Sequence, residues 1–254
     1  MARNSSYVTS FDDDEFLRSQ PEAVRVQAAE IWAMRAGLEL AVSAGYSVII
    51  RELFETGVDR VVLELCCDAV RDEVGHAQLC LDLAERIDGR KRPWPEPTSL
   101  HVPSYDRMPA SPLRTALHLV AMSCLNETIA CTRLLEAMQL TESAGAKRAL
   151  RTILTDEVQH ARAGWAHLAS SHVTPDVKRE IAKHVPELVS ASLKSLIDEN
   201  ASIPTEELSA WGLPSVDAAR AHAEKAIREV VMPGFEHMGI TTAKDSPSVR
   251  RANQ

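Results

Sequence analysis

Aromatic residues are scarce in this sequence, where Phe, Trp and Tyr together make up 4% of the 254 residues. Strands are enriched in aromatic and β-branched residues, whereas alanine and leucine, which are abundant here, favour helices. The scarcity therefore predicts an all-α fold. The length and a hydrophobic content of 45% suit a compact protein, and we expect residues 1–254 to form a single domain.

Cysteine pairs at metal-binding spacing are missing as well. The chain has five cysteines, an odd number, and no Cys-x-x-Cys. This set indicates reduced thiols in a reducing compartment and offers no iron–sulfur site of the rubredoxin or ferredoxin type. Any electrons that the chemistry needs must come from an external donor.

The sequence also lacks an excess of basic residues and a long apolar run. Its net charge is −8 and its pI is near 5.6, so we expect no nucleic-acid partner. No apolar run reaches the roughly 18 residues that span a bilayer, and no apolar signal core precedes the acidic residues 12–14. We therefore expect no membrane partner and a cytoplasmic location.

One motif is present twice. Asp-Glu-Val-x-His-Ala occurs at residues 72–77 and again at 156–161. In a helix, positions i and i+3 lie on one face, so the Glu and His of each copy can point at one spot and make half of a metal site. A chain of this composition is expected to contain about 0.8 Glu-x-x-His motifs by chance, but only about 0.04 motifs in which an Asp precedes the Glu. The alternative is that these charges merely keep two helix faces solvated.

Proline and glycine positions divide the chain into segments. We predict four long helices at about 21–56, 59–89, 111–139 and 145–171. Gly57 joins the first two and the turn 141–145 joins the last two, so each pair is antiparallel. Residues 90–112 hold six prolines and are predicted to be a long crossover.

Connections that are short, long and short are typical of a ferritin-like four-helix bundle with one long crossover connection. With the doubled motif, residues 21–171 resemble the ferritin-like di-iron carboxylate proteins, in which helices one and three each supply a Glu and helices two and four each supply Glu-x-x-His. The resemblance implies two iron ions bridged by Glu73 and Glu157, with dioxygen binding between them. Manganese is an alternative because it accepts the same ligands.

The glutamate of helix one can be placed by geometry. Ligands on antiparallel neighbours lie at the same height when they are equally far from the joining turn. Glu73 lies 16 residues after Gly57 and Glu39 lies 18 before it, whereas Glu30 lies 27 before it and Glu52 only 5. Glu39 is the prediction.

The same rule selects the glutamate of helix three. Around Ser143, Glu157 lies 14 residues after the turn and Glu127 lies 16 before it, whereas Glu136 lies 7 before it. An unpaired carboxylate among apolar neighbours is costly, and a metal ion removes that cost. The predicted metal ligands, which are also the predicted catalytic residues, are Glu39, Glu73, His76, Glu127, Glu157 and His160.

The Asp that precedes each motif glutamate is predicted to support a ligand. A metal-bound His usually donates its second N–H to a carboxylate, which fixes the tautomer and the orientation of the ring. Asp72 is placed to do this for His160, and Asp156 for His76. The alternative for each Asp is a charge on the helix surface.

Five further side chains lie one or two helical turns from the two placed glutamates and could line a substrate pocket between helices one and three. Tyr46 is a candidate radical or proton-transfer residue, although a tyrosine at helical spacing also suits a core. The two cysteines also suit small core residues. The five candidates are Ser43, Tyr46, Ser123, Cys124 and Cys131.

The predicted function is that of a non-haem di-iron oxidase or oxygenase, an oxidoreductase that uses dioxygen to oxidise a small organic molecule. The alternatives are a ferroxidase, a peroxide-scavenging ferritin-like protein, and a helical binding module with a vestigial metal site. Residues 175–235 should form accessory C-terminal helices that could close one end of the site, and the last of them is predicted to stop at Pro233 and Gly234. Residues 1–20, a loose arm or a lid strand, and residues 241–254 should be flexible ends. A homodimer is one assembly that we consider.

Overall fold

The computed structural model describes residues 15–96, 108–200 and 206–242. These residues are largely helical and contain no strand, which confirms the all-α prediction. The expectations for residues 1–14 and 243–254, and for the crossover residues 97–107, lie outside the described residues.

The helical elements are α1 (Glu15–Ser19), α2 (Glu22–Thr56), α3 (Arg60–Asp88), α4 (Pro112–Leu119), a π-helical segment (Val120–Glu127), α5 (Thr128–Leu140), α6 (Ala144–Ala169), α7 (Pro175–Asn200), a 3₁₀ helix (Glu206–Trp211), α8 (Val216–Ala226), a second π-helical segment (Ile227–Val231) and α9 (Met232–His237).

Helices α2 and α3 pack along each other and are joined by residues 57–59. Gly57 ends α2 with a φ of 91°, a conformation that favours glycine. Asp59 occupies the N-cap position of α3 without a side-chain cap hydrogen bond, and its Oδ1 lies 3.4 Å from His172 Nε2 instead. Helix α3 packs against α6, and α6 packs against α5 and the first π-helical segment. This arrangement brings the two copies of the repeated motif, one in α3 and the other in α6, next to each other.

The chain from Pro112 to Leu140 differs from the regular helix predicted there. Ser111 caps its start by accepting a hydrogen bond from the Arg114 N–H at 3.2 Å. In its middle, residues Val120–Glu127 are π-helical. A π-turn holds more residues than an α-turn, so it changes the direction in which later side chains point, and such segments are frequent at functional sites. This one ends at Glu127.

Gly164 allows α6 to approach the first π-helical segment closely. A Cβ atom there would lie 2.6 Å from Cys124 Sγ, 2.8 Å from Ser123 Cβ and 2.9 Å from Leu119 O. We expect Gly164→Ala to lower the free energy of unfolding by about 1–3 kcal/mol, because overpacking forces backbone shifts. The control is Gly37→Ala in α2, where a Cβ meets nothing within 4 Å, so stability should rise by about 0.5–1 kcal/mol. Urea unfolding measures both variants, and unchanged stability of Gly164→Ala would contradict the close approach.

Two expectations about the chain ends need correction. Residues 15–19, which belong to the predicted loose arm, form the helix α1. This helix is held against the protein by Phe16, which packs on Trp211 with ring centroids 4.9 Å apart. The predicted helix end at 233–234 is wrong, since the helical course continues through α9. Pro233 lies where the second π-helical segment passes directly into α9, so this proline does not end the helical course. Gly234 serves packing, because a Cβ there would lie 2.7 Å from Trp165 Cη2.

Helix α2 is long and apolar enough to cross a membrane when judged by length and composition alone. The sequence has no uninterrupted apolar run of that length, but an 18-residue window of α2 has a mean hydropathy of 1.2, and 28% of the window is buried. Core helices of soluble proteins meet the same criterion, and α2 packs along α3. The absence of a membrane partner stays a prediction.

Candidate metal centre

The six predicted ligands meet between α2, α3, α6 and the end of the first π-helical segment. They form two groups, and within each group one ligand atom per residue lies within 4.8 Å of all the others. Each group could hold a metal ion, and they adjoin because they have two glutamates in common. Their role as ligands stays a prediction. The groups are Glu39, Glu73, His76 and Glu157, and Glu73, Glu127, Glu157 and His160.

The Nδ1 atoms of both motif histidines face carboxylates. His76 Nδ1 lies 3.2 Å from Glu73 Oε2, and His160 Nδ1 lies 3.0 Å from Glu157 Oε2, so each Glu-x-x-His does share one helix face. His160 Nδ1 also lies 3.0 Å from Glu73 Oε1, across the α3–α6 contact. Both histidines are fully buried. The two copies therefore form one cluster.

The Nε2 atoms of the same histidines face the two aspartates. His76 Nε2 lies at hydrogen-bond distance, 3.2 Å, from Asp156 Oδ2. His160 Nε2 lies 3.7 Å from Asp72 Oδ2, which is beyond a hydrogen bond, and Asp72 also accepts hydrogen bonds from Arg71. Each aspartate thus reaches toward the histidine of the other copy. A carboxylate on one ring nitrogen leaves the other nitrogen available to a metal ion.

Ionised Glu73 is stabilised by the two imidazoles. Burial raises the pKa of Glu73, but hydrogen bonding and charge interactions with His160 and His76 outweigh burial and lower it to about 2. Burial lowers the pKa of His76, but hydrogen bonds with Asp156 and Glu73 outweigh it and raise that pKa. Burial also lowers the pKa of His160, but the nearby carboxylates of Asp72, Glu157 and Glu73 outweigh it and raise that pKa. Without metal, protons on the imidazoles thus compensate carboxylate charge, and metal binding would release them.

The pKa values of Glu39 and Glu127 are raised, so their surroundings favour the neutral carboxyl groups. Burial, followed by the nearby negative charge of Glu73, raises the pKa of Glu39 to about 8. Burial also raises the pKa of Glu127, followed by the charges of Glu157 and Glu73. These carboxylates ionise readily only beside added positive charge. Four carboxylates and two neutral imidazoles fit two divalent ions, since the total charge would then be zero.

Tyr46 and Ser123 contact the cluster through Glu127. The Tyr46 hydroxyl lies 3.0 Å from Ser123 Oγ and donates a hydrogen bond to Glu127 Oε1 at 3.1 Å. Burial raises the pKa of Tyr46 well above its ordinary value, and the negative charge of Glu127 adds to this effect. Tyr46 is therefore a neutral donor that holds one predicted ligand in place.

The remaining three pocket candidates have other surroundings. Ser43 Oγ donates a hydrogen bond to Val70 O at 3.1 Å. Cys124 is a buried core residue against Gly164. Cys131 is half-buried, and burial together with the charges of Glu157 and Glu127 raises the pKa of its thiol to about 12.

A cavity of about 160 Å³ lies between α2 and α5 and is covered by α7. Its floor consists of the carboxylates Glu39, Glu73, Glu127 and Glu157. The walls combine nine apolar side chains with six polar ones. The apolar wall residues are Ile31, Met34, Leu38, Val42, Ile129, Ala130, Leu196, Leu213 and Pro214, and the polar ones are Arg35, Asn126, Arg133, Ser192, Ser195 and Glu199.

None of the five pocket candidates lines this cavity, which corrects that prediction. The cavity extends from the cluster toward the residues before Glu39 and after Glu127. Residues 43, 46, 123 and 124 lie on the other side of the cluster. Helical spacing alone does not say on which side of its ligands a site opens, so the sequence could not distinguish the two sides. The sequence did contain a signal for Arg35, a charge one turn before Glu39. It contained none for the α7 residues.

No known protein family, curated protein or solved structure matches this chain. The resemblance to the ferritin-like di-iron proteins therefore rests on the residues themselves. The buried carboxylate and histidine groups are compatible with that resemblance and could hold metal ions.

Proposed function

We propose that this protein is a ferritin-like non-haem di-iron oxidase or oxygenase that oxidises a small organic molecule with dioxygen. In this proposal α2, α3, α6 and residues 112–140 are the four-helix bundle. The observation that carries the proposal is the pair of buried ligand groups, joined by Glu73 and Glu157, at the floor of a cavity whose walls carry both apolar and polar side chains. Sites for small organic molecules are concave and combine apolar walls with placed polar groups, which supports an organic substrate.

The donor set supports iron. Carboxylate and imidazole donors without a thiolate suit iron or manganese better than copper or zinc. Bound iron would supply the electrons that reduce dioxygen, and an external donor would replace them. We assign Glu39 and His76 to one ion, Glu127 and His160 to the other, and Glu73 and Glu157 to both.

The surrounding residues orient the donors and shield the substrate. Asp156 accepts the Nε2–H of His76, which keeps Nδ1 of that ring directed at the carboxylates. Tyr46 fixes Glu127 through its hydrogen bond and is a buried O–H from which a proton can reach that carboxylate. The apolar walls and α7 would reduce the contact of the substrate with bulk water.

Oxygen uptake tests the proposal. The protein is loaded anaerobically with two Fe(II) per chain and mixed with oxygen, excess ascorbate and a set of small organic acids, alcohols and amines. We expect uptake beyond the amount that the bound iron can reduce, and a mass change in at least one compound, both absent in Glu73→Ala. Uptake that stops when the bound iron is oxidised and resumes only with added Fe(II) would indicate a ferroxidase. Full metal occupancy with no uptake would indicate a binding module.

A further inference from the structure

Two arginines stand on facing walls of the cavity at the same end. Arg35 precedes Glu39 by four residues on α2, which is about 6 Å along the helix axis, and Arg133 follows Glu127 by six residues, which is about 9 Å. Both line the same cavity, so the two helix segments run in opposite directions past it. The arginines thus lie some distance from the floor, with apolar wall residues between them and the glutamates.

Within the part of the chain that the structure describes, each guanidinium keeps one buried N–H group without an acceptor, although the negative charges of Glu199 and Glu39 favour the charged form of Arg133. Arg35 Nη1 and Arg133 Nε are buried, and neither atom has a hydrogen-bond partner there. Arg35 lies over the ring of Trp32, with its Cζ 4.9 Å from the ring centroid, which positions the side chain without satisfying its N–H groups. A buried N–H without an acceptor is costly, so an acceptor from a ligand would be favourable here.

The charges around the arginines leave an excess of about one positive charge. Burial and the positive charge of Arg35 together lower the pKa of Arg133 to about 10, which leaves Arg133 protonated at neutral pH. The four floor carboxylates would be neutralised by two divalent ions in the proposed function. Glu199 of α7 is the one other acidic residue in the cavity lining, and its Oε1 accepts a hydrogen bond from Ser195 Oγ at 2.8 Å.

We propose that the substrate is a small amphipathic carboxylic acid whose carboxylate binds between Arg35 and Arg133 and whose apolar part extends toward Glu39 and Glu127. This inference rests on the proposed function, because it assumes that metal ions compensate the floor glutamates. Guanidinium groups bind planar carboxylates through paired hydrogen bonds, and one net positive charge matches a monoanion. The cavity is smaller than the roughly 300–1,000 Å³ of sites for drug-sized ligands, so the acid must be small.

Calorimetric titration with matched probes tests this inference. The anaerobically iron-loaded protein is titrated with hexanoate and benzoate, and with hexanamide and benzamide, which have similar shapes and no charge. We expect each carboxylate to bind at least about ten-fold more tightly than its amide. The preference should fall by about ten-fold in Arg35→Gln and in Arg133→Gln, and Arg133→Lys should retain part of it. Arg151→Gln, which changes an exposed arginine of α6, should leave it unchanged.

The arginine variants separate this inference from direct binding of a carboxylate to iron. A preference that survives in both Gln variants, equal affinity for acids and amides, or no probe binding at millimolar concentration by the folded wild type would each overturn the inference. Metal content is measured on every sample. Two ions per chain without a carboxylate preference overturns the inference alone. A wild type that binds no metal contradicts the proposed function and overturns with it the inference that rests on it.

Discussion

Replacing Glu73 with alanine is expected to reduce bound iron from two ions per chain to fewer than one. Glu73 is fully buried and belongs to both candidate ligand groups, so its loss removes a donor from each. Glu39 belongs to one group only, so Glu39→Ala is expected to retain one ion. Elemental analysis after anaerobic loading and desalting measures both outcomes.

The control for this series is an exposed glutamate of the same helix. Glu64 lies in α3 and pairs with Arg60 at the surface, so Glu64→Ala should bind two ions as the wild type does. Metal binding should also stabilise the fold, by about 2.7 kcal/mol for each bound ion at a free ion concentration of 100 Kd, and this stabilisation should be lost in Glu73→Ala. Full metal content in Glu73→Ala would refute the six-residue assignment.

Replacing Glu52 with alanine is expected to have the converse effect, a loss of stability without a loss of metal. Glu52 is 3% exposed, and its carboxylate lies 2.8 Å from His118 Nδ1 and 2.9 Å from Arg114 Nε, which join α2 to α4. Removing one member of a buried ionic group leaves the others uncompensated and typically costs about 3–5 kcal/mol. Urea unfolding of the metal-free proteins measures this loss, and elemental analysis should still find two ions in Glu52→Ala.

Glu55→Ala is the matched control for Glu52. Glu55 lies three residues further along α2 and pairs with Arg51 in an i, i+4 arrangement at the surface. Exposed pairs contribute about 0.2–1 kcal/mol, so this variant should stay within about 1 kcal/mol of the wild type. If Glu52→Ala were as stable as Glu55→Ala, the buried group would not hold α2 and α4 together. If it lost metal while remaining folded, the division between the two clusters would be wrong.

The contrast between Glu39 and Glu52 indicates how far sequence reasoning reached. Both lie on α2, and composition does not distinguish them. Their distances from Gly57 distinguish them, because residues that are equally far from the joining turn lie at the same height on antiparallel helices. The structure places Glu39 in a ligand group with Glu73 and places Glu52 beside His118 instead.

Other features had no comparable signal. The π-helical segment at 120–127 contains no proline or glycine, and a change in hydrogen-bond register leaves no mark in the apolar pattern. Pro233 and Gly234 predicted a helix end, but the helical course passes through the proline and the glycine packs on Trp165. Local sequence rules gave no signal for the π-helical segment at 120–127, and at 233–234 they predicted a helix end that tertiary packing overrides.

The sequence by itself determined that this protein is all-α and which six residues could form a metal site, because helical period, turn positions and a repeated motif are local properties that survive without knowledge of the packing. Only the tertiary structure decided which side of the glutamates opens into a cavity, that α7 covers it, and that Arg35 and Arg133 face it. These features depend on the packing of helices that are distant in sequence, and such packing follows from the fit of whole helix surfaces and not from any one segment.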